Sequence, residues 1–519
     1  MTISYYTTSF TTVKKCLLFL LVLFIFIPSF SFAKPADIME TGSFLKPFQT
    51  AISRPLRDTS YVSLGGHFII HYDNNGRDAV PQSYIFDPLV PDFVYSAAQY
   101  LEASYSVLRD SLEFDTPPID NIESPEIDAY FVSYYDSYGA TYPEQQIEPN
   151  VWTSYLTLSS NLEDSSIYYT PGLEGLKVTC AHELFHVFQL GYKYRYEDYF
   201  YFEMSSVWFE EYMYPEVNDY HSYVNYYTQR WNYALNHDNL LYNNVGFNLY
   251  IDARYSTSDN NIIHAIWDRI LIEPSLDAIQ TVLTTHGTTF DDALCTWGSA
   301  QVLCDLNVAN NFNYSFDDAA ELQTISFENY PDNIITSLIA DITLLASPMT
   351  SYFKVTNLPQ EALLFDAQFS NNVHANIICL DENNSCVYQA STTSLIINGA
   401  LYSECIIVVG SNQDNATGSF AFTPIEADLI SSLYPNPLSF GETCNITFVL
   451  TKDYSAGEVI LYNLQGRQCY KQPLASAEIL SGVHTLSISS LPQNFSSGIY
   501  IMVMYLDDTV LSKKITYFK

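Results

Sequence analysis

The sequence between residues 181 and 186 reads Ala181-His182-Glu183-Leu184-Phe185-His186. Apolar residues recur at helical spacing from 176 to 190, and Gly191 is a natural stop, so this motif is predicted to lie on a helix. Residues four apart share one face of a helix, so both imidazoles can bind one ion while Glu183 projects towards a metal-bound water. The alternative interpretation is a pair of helix histidines hydrogen-bonded to core carbonyls.

A third metal ligand is predicted on the next helix, which spans about 199–213 and must end before Pro215. A catalytic zinc takes three protein ligands and keeps one position open. Glu203, seventeen residues after His186, is the candidate for the third ligand. Glu210 lies two helical turns further along the same face. Two interpretations stay open for Glu210: an acceptor that orients a ligand histidine, or a solvated helix end.

The order of several short motifs gives the chain a resemblance to a known group of enzymes. HExxH followed by Glu203 in an E-x-x-x-x-W-x-E setting resembles the gluzincin metallopeptidases, the thermolysin-like clan. Residues 61–310 more closely resemble a family of secreted bacterial metalloproteases first noted in myxobacteria. The sequence departs from thermolysin at Val207, where that enzyme has an acidic residue, and at Met204. The shared motifs are Gly66-His67-Phe68, His71-Tyr72, Asp78-Ala79-Val80-Pro81, Asp128, residues 138–143, residues 182–189 and residues 214–220.

The resemblance implies hydrolysis of peptide bonds at one catalytic Zn2+, held by His182, His186 and Glu203. Glu183 would act as general base on a zinc-activated water. It also implies a donor that stabilises the oxyanion, and the sequence does not choose among the candidates, which are Tyr226, Tyr242, His221 and His237. The segment 151–158 reads as a strand; at an exposed sheet edge it would pair with an extended substrate.

The N-terminus is predicted to be a signal peptide over 1–33. Lys14 and Lys15 precede an apolar run from 16 to 27, and small residues lead to a cleavage point after Ala33. An uncleaved membrane anchor is the alternative; once the signal is cleaved, no transmembrane anchor is expected. Residues 34–60 are predicted to be a linker or short pro-segment.

Charge and cysteine content limit the partners. The chain carries 58 acidic against 21 basic residues, a net charge of −37, which argues against nucleic-acid binding. The charge allows calcium binding, but no segment matches an EF-hand loop.

In an exported protein, the close pairs Cys295/Cys304 and Cys379/Cys386 are candidates for disulfides, although spacing alone does not fix the connectivity.

Two β-rich modules are predicted in the C-terminal part, because short apolar runs alternate there with turn residues. The first, a β-sandwich accessory domain over 326–427, has no chemical signature. The second, over 430–519, resembles the type A sorting domain of type IX secretion. Its motifs are residues 433–437, residues 461–467, residues 497–500 and Lys513-Lys514. That resemblance implies a Bacteroidetes-like Gram-negative bacterium, the type IX secretion machinery as a partner, and a secreted or cell-surface location. An ordinary Ig-like domain is the alternative.

The predicted fold class is multidomain: an α+β thermolysin-like zincin catalytic domain over 61–325, followed by two Ig-like β-sandwich modules. The first functional hypothesis is a secreted zinc metalloendopeptidase acting on protein or peptide substrates. The second is a cell-surface adhesin or binding protein whose peptidase-like domain is inactive. A non-peptidase zinc hydrolase is the third.

Overall fold

The computed structural model describes residues 44–45 and 53–519, except 121, 123, 136, 306–317, 345–346, 371–372, 384–385, 392–393, 490 and 492–494. The signal peptide predicted for 1–33, and most of the linker or pro-segment predicted for 34–60, lie outside the described residues. Within the described part of the chain, no helix has the length and apolar character needed to cross a membrane.

The fold begins with a mixed sheet in the order β1-β5-β6-β4-β3-β2. Its strands are β1 (Phe44–Leu45), β2 (Thr59–Val62), β3 (Phe68–Tyr72), β4 (Ile127–Val132), β5 (Gly139–Glu148) and β6 (Val151–Ser159). Burial alternates along β3, where Phe68, Ile70 and Tyr72 are buried, as expected for a strand with one face on a core. β3, β4 and β6 run parallel, and β5 runs antiparallel to β6.

The strand predicted at 151–158 is present as β6, and it does not lie at a sheet edge, so the condition for pairing with a substrate is not met. β6 is hydrogen-bonded on both sides, to β4 and to β5, and its residues from Thr153 to Ser159 are all buried. β5 lies outside it, and the backbone of β1 pairs in parallel with β5 at Ala140 and Thr141. Continuous burial is the sign of an internal strand.

Eight α-helices follow or interrupt this sheet in the described residues. They are α1 (Asp92–Ser106), α2 (Gly172–Tyr192), α3 (Tyr199–Met213), α4 (His221–Tyr227), α5 (Val245–Tyr255), α6 (Ile262–Ile270), α7 (Ser275–Thr285) and α8 (Phe290–Val302). The α2 helix packs against α1, α3, β5 and β6. It is buried on almost every side from Gly175 onwards, so it is a central helix rather than an amphipathic surface helix.

The predicted helix over 199–213 coincides with α3, but the predicted stop of α2 at Gly191 is one residue early. The helix continues to Tyr192. Gly191 has a packing role instead, because an added Cβ there would lie 2.8 Å from the Cδ of Pro118.

A β-sandwich occupies the region where the first module was predicted. Its two sheets have the orders β13-β10-β15-β8 and β12-β11-β14-β9-β7. The strands are β7 (Ile334–Ile335), β8 (Ile339–Thr343), β9 (Met349–Thr356), β10 (Ala362–Phe369), β11 (Val373–Leu380), β12 (Cys386–Ser391), β13 (Ser394–Asn398), β14 (Glu404–Ser411) and β15 (Thr417–Pro424).

The five-stranded sheet of this sandwich is covered by α8. That helix packs against β9, β11 and β14, and a Cβ added at Gly298 would lie 2.3 Å from the Thr350 side chain. Asn376 donates from Nδ2 to the Ser299 hydroxyl at 2.8 Å. Ile406 and Val408 belong to the same hydrophobic core as the helices around α2. The helices and the face of this sheet that α8 covers therefore share one core.

The C-terminal residues form two further sheets around a separate core. The orders are β16-β18-β21 and β17-β23-β22-β19-β20. The strands are β16 (Leu429–Tyr434), β17 (Leu438–Ser439), β18 (Cys444–Leu450), β19 (Gly457–Asn463), β20 (Gln468–Pro473), β21 (Gly482–Ile488), β22 (Gly498–Leu506) and β23 (Thr509–Phe518).

The predicted fold class, an α+β thermolysin-like zincin domain followed by two Ig-like modules, is wrong. The structure is rich in sheet, with five sheets among the described residues. The helices do not form a core by themselves, because the last of them, α8, packs against the neighbouring sandwich, and residues of that sandwich belong to the same core. The apolar spacing within α8 indicates a buried face, but it contains no information about the surface that this face covers.

Candidate metal centre

The three predicted metal ligands converge where α2 and α3 pack together. One ligand atom from each of His182, His186 and Glu203 lies within 4.8 Å of the other two. The Nε2 atoms of His182 and His186 lie 3.3 Å and 3.2 Å from Oε2 of Glu203. Each of these side chains is at most 1% exposed. Two imidazole nitrogens and one carboxylate oxygen form a donor set that suits a divalent zinc ion.

Nδ1 of each histidine, the ring nitrogen that does not face Glu203, has a hydrogen-bond acceptor of its own. Nδ1 of His182 lies 2.5 Å from Oε1 of Glu210, and Nδ1 of His186 lies 2.7 Å from Oε1 of Gln189. In the neutral imidazole these acceptors favour the tautomer with its proton on Nδ1, so each Nε2, which faces Glu203, is the nitrogen available to a metal ion. This tautomer is the one that a metal ion requires, and Nε2 of His186 has no hydrogen-bond partner among the described residues.

The open question about Glu210 is answered by this geometry. Glu210 is buried and bonded to His182, so it is not a solvated helix end. Val207, where thermolysin has its acidic residue, is fully buried among apolar side chains. The acceptor for His182 is thus supplied three residues later, almost one helical turn further along α3.

Gln189 was not singled out by the sequence, although it lies three residues after His186 on the same helix. Its amide orientation is fixed because Nε2 donates to the Phe202 carbonyl at 3.1 Å and to the hydroxyls of Ser205 and Ser206 at 3.1 and 3.2 Å. The amide oxygen is left facing His186. The i, i+3 spacing was the available signal, since such residues are neighbours on a helix surface.

Only one of the two carboxylate oxygens of Glu183 has a hydrogen-bond partner among the described residues. Thr141, on β5, donates its hydroxyl to Oε2 of Glu183 at 2.6 Å and also lies 2.9 Å from the Glu183 carbonyl oxygen. Oε1 is buried without a hydrogen-bond partner in the described part of the chain. Gly139 permits this approach, because a Cβ there would lie 3.0 Å from Cγ of Glu183. One carboxylate oxygen is therefore anchored and the other is free for chemistry.

The charges of the centre are shifted by burial and by mutual contact. Burial acts to raise the pKa of Glu203, but His186 and His182 outweigh it and hold that pKa well below its usual range. Burial acts to lower the pKa of His182, yet its bonds to Glu203 and Glu210 raise it to about 10. Burial raises the pKa of Glu210 to about 7. A metal ion binding at Nε2 must therefore displace a proton from His182.

Among the four candidate oxyanion donors, Tyr242 alone contacts the ligand histidines in the described structure. Its ring stacks on His182, with centroids 5.8 Å apart and planes at 26°. Its hydroxyl is buried without a hydrogen-bond partner among the described residues. Burial, with the nearby Glu203 and Glu183 carboxylates, raises the pKa of Tyr242, so the phenol keeps its proton.

The other three candidates are engaged elsewhere. Nε2 of His221 lies 3.2 Å from Oδ2 of Asp318. Nδ1 of His237 accepts from the backbone N–H of Asn239 at 3.1 Å. The ring of Tyr226 lies under the guanidinium of Arg230, 3.6 Å from the ring centroid.

Replacing Glu210 by alanine is expected to weaken zinc binding about 10- to 100-fold, because His182 loses the acceptor that fixes its tautomer. Competition of the purified protein with a chromophoric chelator measures this. Glu211→Ala, at the next position and half-buried, is the matched control and should bind zinc as the unaltered protein does. Equal zinc affinity in Glu210→Ala and Glu211→Ala would contradict the assigned role.

Comparison with curated proteins gives no match. Solved structures that match include a GH2 β-galacturonidase from Eisenbergiella tayi (10% identity, 37% of each chain, TM-score 0.18). A β-glucuronidase from Faecalibacterium prausnitzii matches with 10% identity, 32% of this chain, 36% of that chain and TM-score 0.15. One from Bifidobacterium dentium matches with 8% identity, 32% of this chain, 38% of that chain and TM-score 0.15.

All three matched structures are glycosidases. The protein spans little more than a third of the length of each of those chains. TM-scores this low carry no argument about the fold or function of this protein. A family model gives a broader match, over residues 58–357, and that range contains the whole metal centre. By that match, the protein belongs to the "Family of unknown function (DUF6055)".

Proposed function

We propose that the protein is a zinc-dependent metallopeptidase. The observation that carries the proposal is the buried set of His182, His186 and Glu203, with both histidines oriented by hydrogen bonds and Glu183 beside them. A buried pair of helix histidines bonded to core carbonyls, the alternative interpretation, does not describe these contacts. Hydrolysis is favoured over purely structural metal binding because one oxygen of Glu183 has no hydrogen-bond partner among the residues that the structure describes.

The donor set fits zinc, and His182, His186 and Glu203 would hold it. When bound, the ion would supply Lewis acidity and lower the pKa of water in its open position.

Glu183 would move the proton during hydrolysis. Burial raises the pKa of its carboxyl, opposed by His182 and His186, and a carboxylate with a raised pKa is a better base. Thr141 keeps Oε2 fixed, so Oε1 takes the proton of the attacking water and returns it to the leaving amine. The anchoring bond prevents the side chain from turning away between these two transfers.

Tyr242 would stabilise the oxyanion. Its neutral phenol is a preorganised donor that is not consumed by another hydrogen bond in the described structure. Tyr242→Phe keeps the stacked ring and removes only the hydroxyl. This variant is expected to retain one zinc per chain and to lose about 10²- to 10³-fold in kcat. Tyr226→Phe, away from the centre, is the control. An unchanged kcat in Tyr242→Phe would remove Tyr242 from the mechanism.

The proposed substrate is a polypeptide. The sequence resemblance to secreted metalloproteases supports this, as does the position of β5, whose Thr141 contacts Glu183. The backbone of β1 pairs with β5 at Ala140 and Thr141, which shows that this edge of β5 can form a ladder with an extended chain, as a substrate would where β1 does not cover it.

A second candidate function is a surface-binding protein with an inactive peptidase-like site. The observation that favours it is burial: His182, Glu183, His186 and Glu203 are 0–1% exposed, whereas a catalytic zinc needs an accessible position. Chelation separates the two functions. Removing metal with 1,10-phenanthroline should abolish cleavage of a mixed peptide library, and adding zinc should restore it. Cleavage that persists without metal, or zinc-loaded protein that cleaves nothing, would reject the peptidase.

We also propose that the protein is exported, with a signal at 1–33 and with the C-terminal sandwich of β16–β23 as a sorting domain for type IX secretion. The support is the sequence resemblance of 430–519. Deleting 430–519 should leave the protein in the periplasm of a type IX-competent host, as followed by immunoblotting of cell fractions. Normal release of the truncated protein would refute the sorting role.

A further inference from the structure

Two buried cysteines face each other in the first β-sandwich, away from the metal centre. β11 and β14 are antiparallel neighbours, and their register places Cys379 directly opposite Cys405. The two Sγ atoms are 3.1 Å apart, about 1 Å more than the length of a disulfide bond. Both side chains are 0% exposed.

The surroundings of this pair are apolar. Cys379 and Cys405 belong to the sandwich core, together with Ile377, Ile407 and Val409. Among the described residues, the single group with the arrangement of a metal site is the one formed by α2 and α3. No metal or catalytic role therefore accounts for two thiols placed in contact.

We propose that Cys379 and Cys405 form a disulfide when the chain meets a thiol–disulfide oxidant. One thiolate attacks the oxidant's disulfide and forms a mixed disulfide with it. The second thiolate then attacks the protein sulfur, so that the Sγ–Sγ bond forms, and the two sulfurs of the oxidant, one released at each step, end as thiols. Two protons and two electrons leave the cysteines, and the oxidant takes up both electrons. Because both sulfurs are buried, the reaction occurs before the sandwich closes.

This pairing differs from the pairs that sequence spacing favoured. The backbone of Cys386 lies opposite Leu380, whereas Cys379 lies opposite Tyr388 on that side. Cys295 lies on α8 with its Sγ 3.4 Å from the Val408 carbonyl oxygen, and Cys304 follows the helix end with its Sγ 3.5 Å from the Ala300 carbonyl oxygen. Nine residues of helical rise correspond to about 13 Å, which is too far for a bridge.

The bond would reinforce the sheet that supports α8. Along β14, Cys405 and Ile407 face the sandwich core, while Ile406 and Val408 face the core shared with the helices. A bridge between β11 and β14 therefore ties together two of the strands on which α8 rests. It also restricts the unfolded chain, which stabilises the folded state.

Thiol trapping in the full chain tests the proposal. The reduced, unfolded protein is refolded with oxidised glutathione as the oxidant, denatured, alkylated with iodoacetamide and digested without reductant. Mass spectrometry should show the peptides of Cys379 and Cys405 linked, two hydrogens lighter than their sum, with Cys180 and Cys444 alkylated. Alkylation of both cysteines, or a bridge from either of them to Cys386 or any other cysteine, would overturn the proposal.

A stability measurement with matched variants supports the trapping result. Reductant should lower the Tm of the oxidised protein by several degrees. The double variant Cys379→Val/Cys405→Val fills the same apolar space and should show no response to reductant. Cys444→Val, also buried, should respond as the unaltered protein does. A Tm of the oxidised protein that is insensitive to reductant, or a double variant that still responds, would contradict the bridge.

Discussion

Replacement of Glu183 by glutamine is expected to lower kcat/KM for peptide hydrolysis about 10²- to 10⁴-fold while zinc stays at one ion per chain. Glutamine keeps the size of the side chain, and its amide oxygen still accepts from Thr141, which now donates to Oε2 of Glu183. The variant lacks a basic oxygen where Oε1 has no partner in the described structure. Proton transfer should fail without disturbance of the metal ligands.

Steady-state kinetics on a fluorogenic peptide and metal analysis of the same sample check this result. Glu174→Gln is the control, since Glu174 is an exposed carboxylate on the same helix that pairs with Lys177 at 2.9 Å. It should behave as the unaltered protein does. If Glu183→Gln hydrolysed peptide at the original rate, Glu183 would not be the general base.

Replacement of Glu203 by glutamine is expected to abolish stoichiometric zinc binding. The carboxylate is 0% exposed and its Oε2 lies between the Nε2 atoms of His182 and His186. A neutral amide removes the anionic ligand. It also removes the negative charge that faces the protonated His182, so the metal-free protein should lose about 3–5 kcal/mol of folding stability, the cost of removing one partner of a buried ion pair.

Mass spectrometric zinc analysis and urea unfolding of the metal-free protein measure the two effects separately. Glu197→Gln serves as control, because Glu197 is an exposed carboxylate just before α3. Its zinc content and urea midpoint should not change. Zinc retained at one ion per chain in Glu203→Gln would mean that another group provides the third ligand.

The clustering of His182, His186 and Glu203 was predictable from sequence because it depends on local helix geometry. His182 and His186 lie one helical turn apart, and Glu203 and Glu210 lie two turns apart on the next helix, so periodicity alone aligns them. We inferred from the sequence that the two helices pack with these side chains facing each other, and in the structure they do.

The contacts that bring distant segments of the chain together were not predictable from sequence. Thr141 lies on β5, and only the close approach allowed by Gly139 brings it to Glu183. The position of β6 inside the sheet depends on β5 folding back beside it. The burial of α8 under the first sandwich depends on contacts between residues more than fifty positions apart, such as Thr350 with Leu294. Hydrophobic periodicity identifies a buried face but not its partner.

The most direct test of the account is X-ray absorption at the zinc K-edge on the purified, zinc-loaded protein. The account predicts a first shell of nitrogen and oxygen at about 2.0–2.2 Å with the scattering pattern of two imidazoles. In His182→Ala/His186→Ala, protein-bound zinc should be absent. A shell containing sulfur at about 2.3 Å, or zinc bound equally by the double variant, would contradict a centre built from His182, His186 and Glu203.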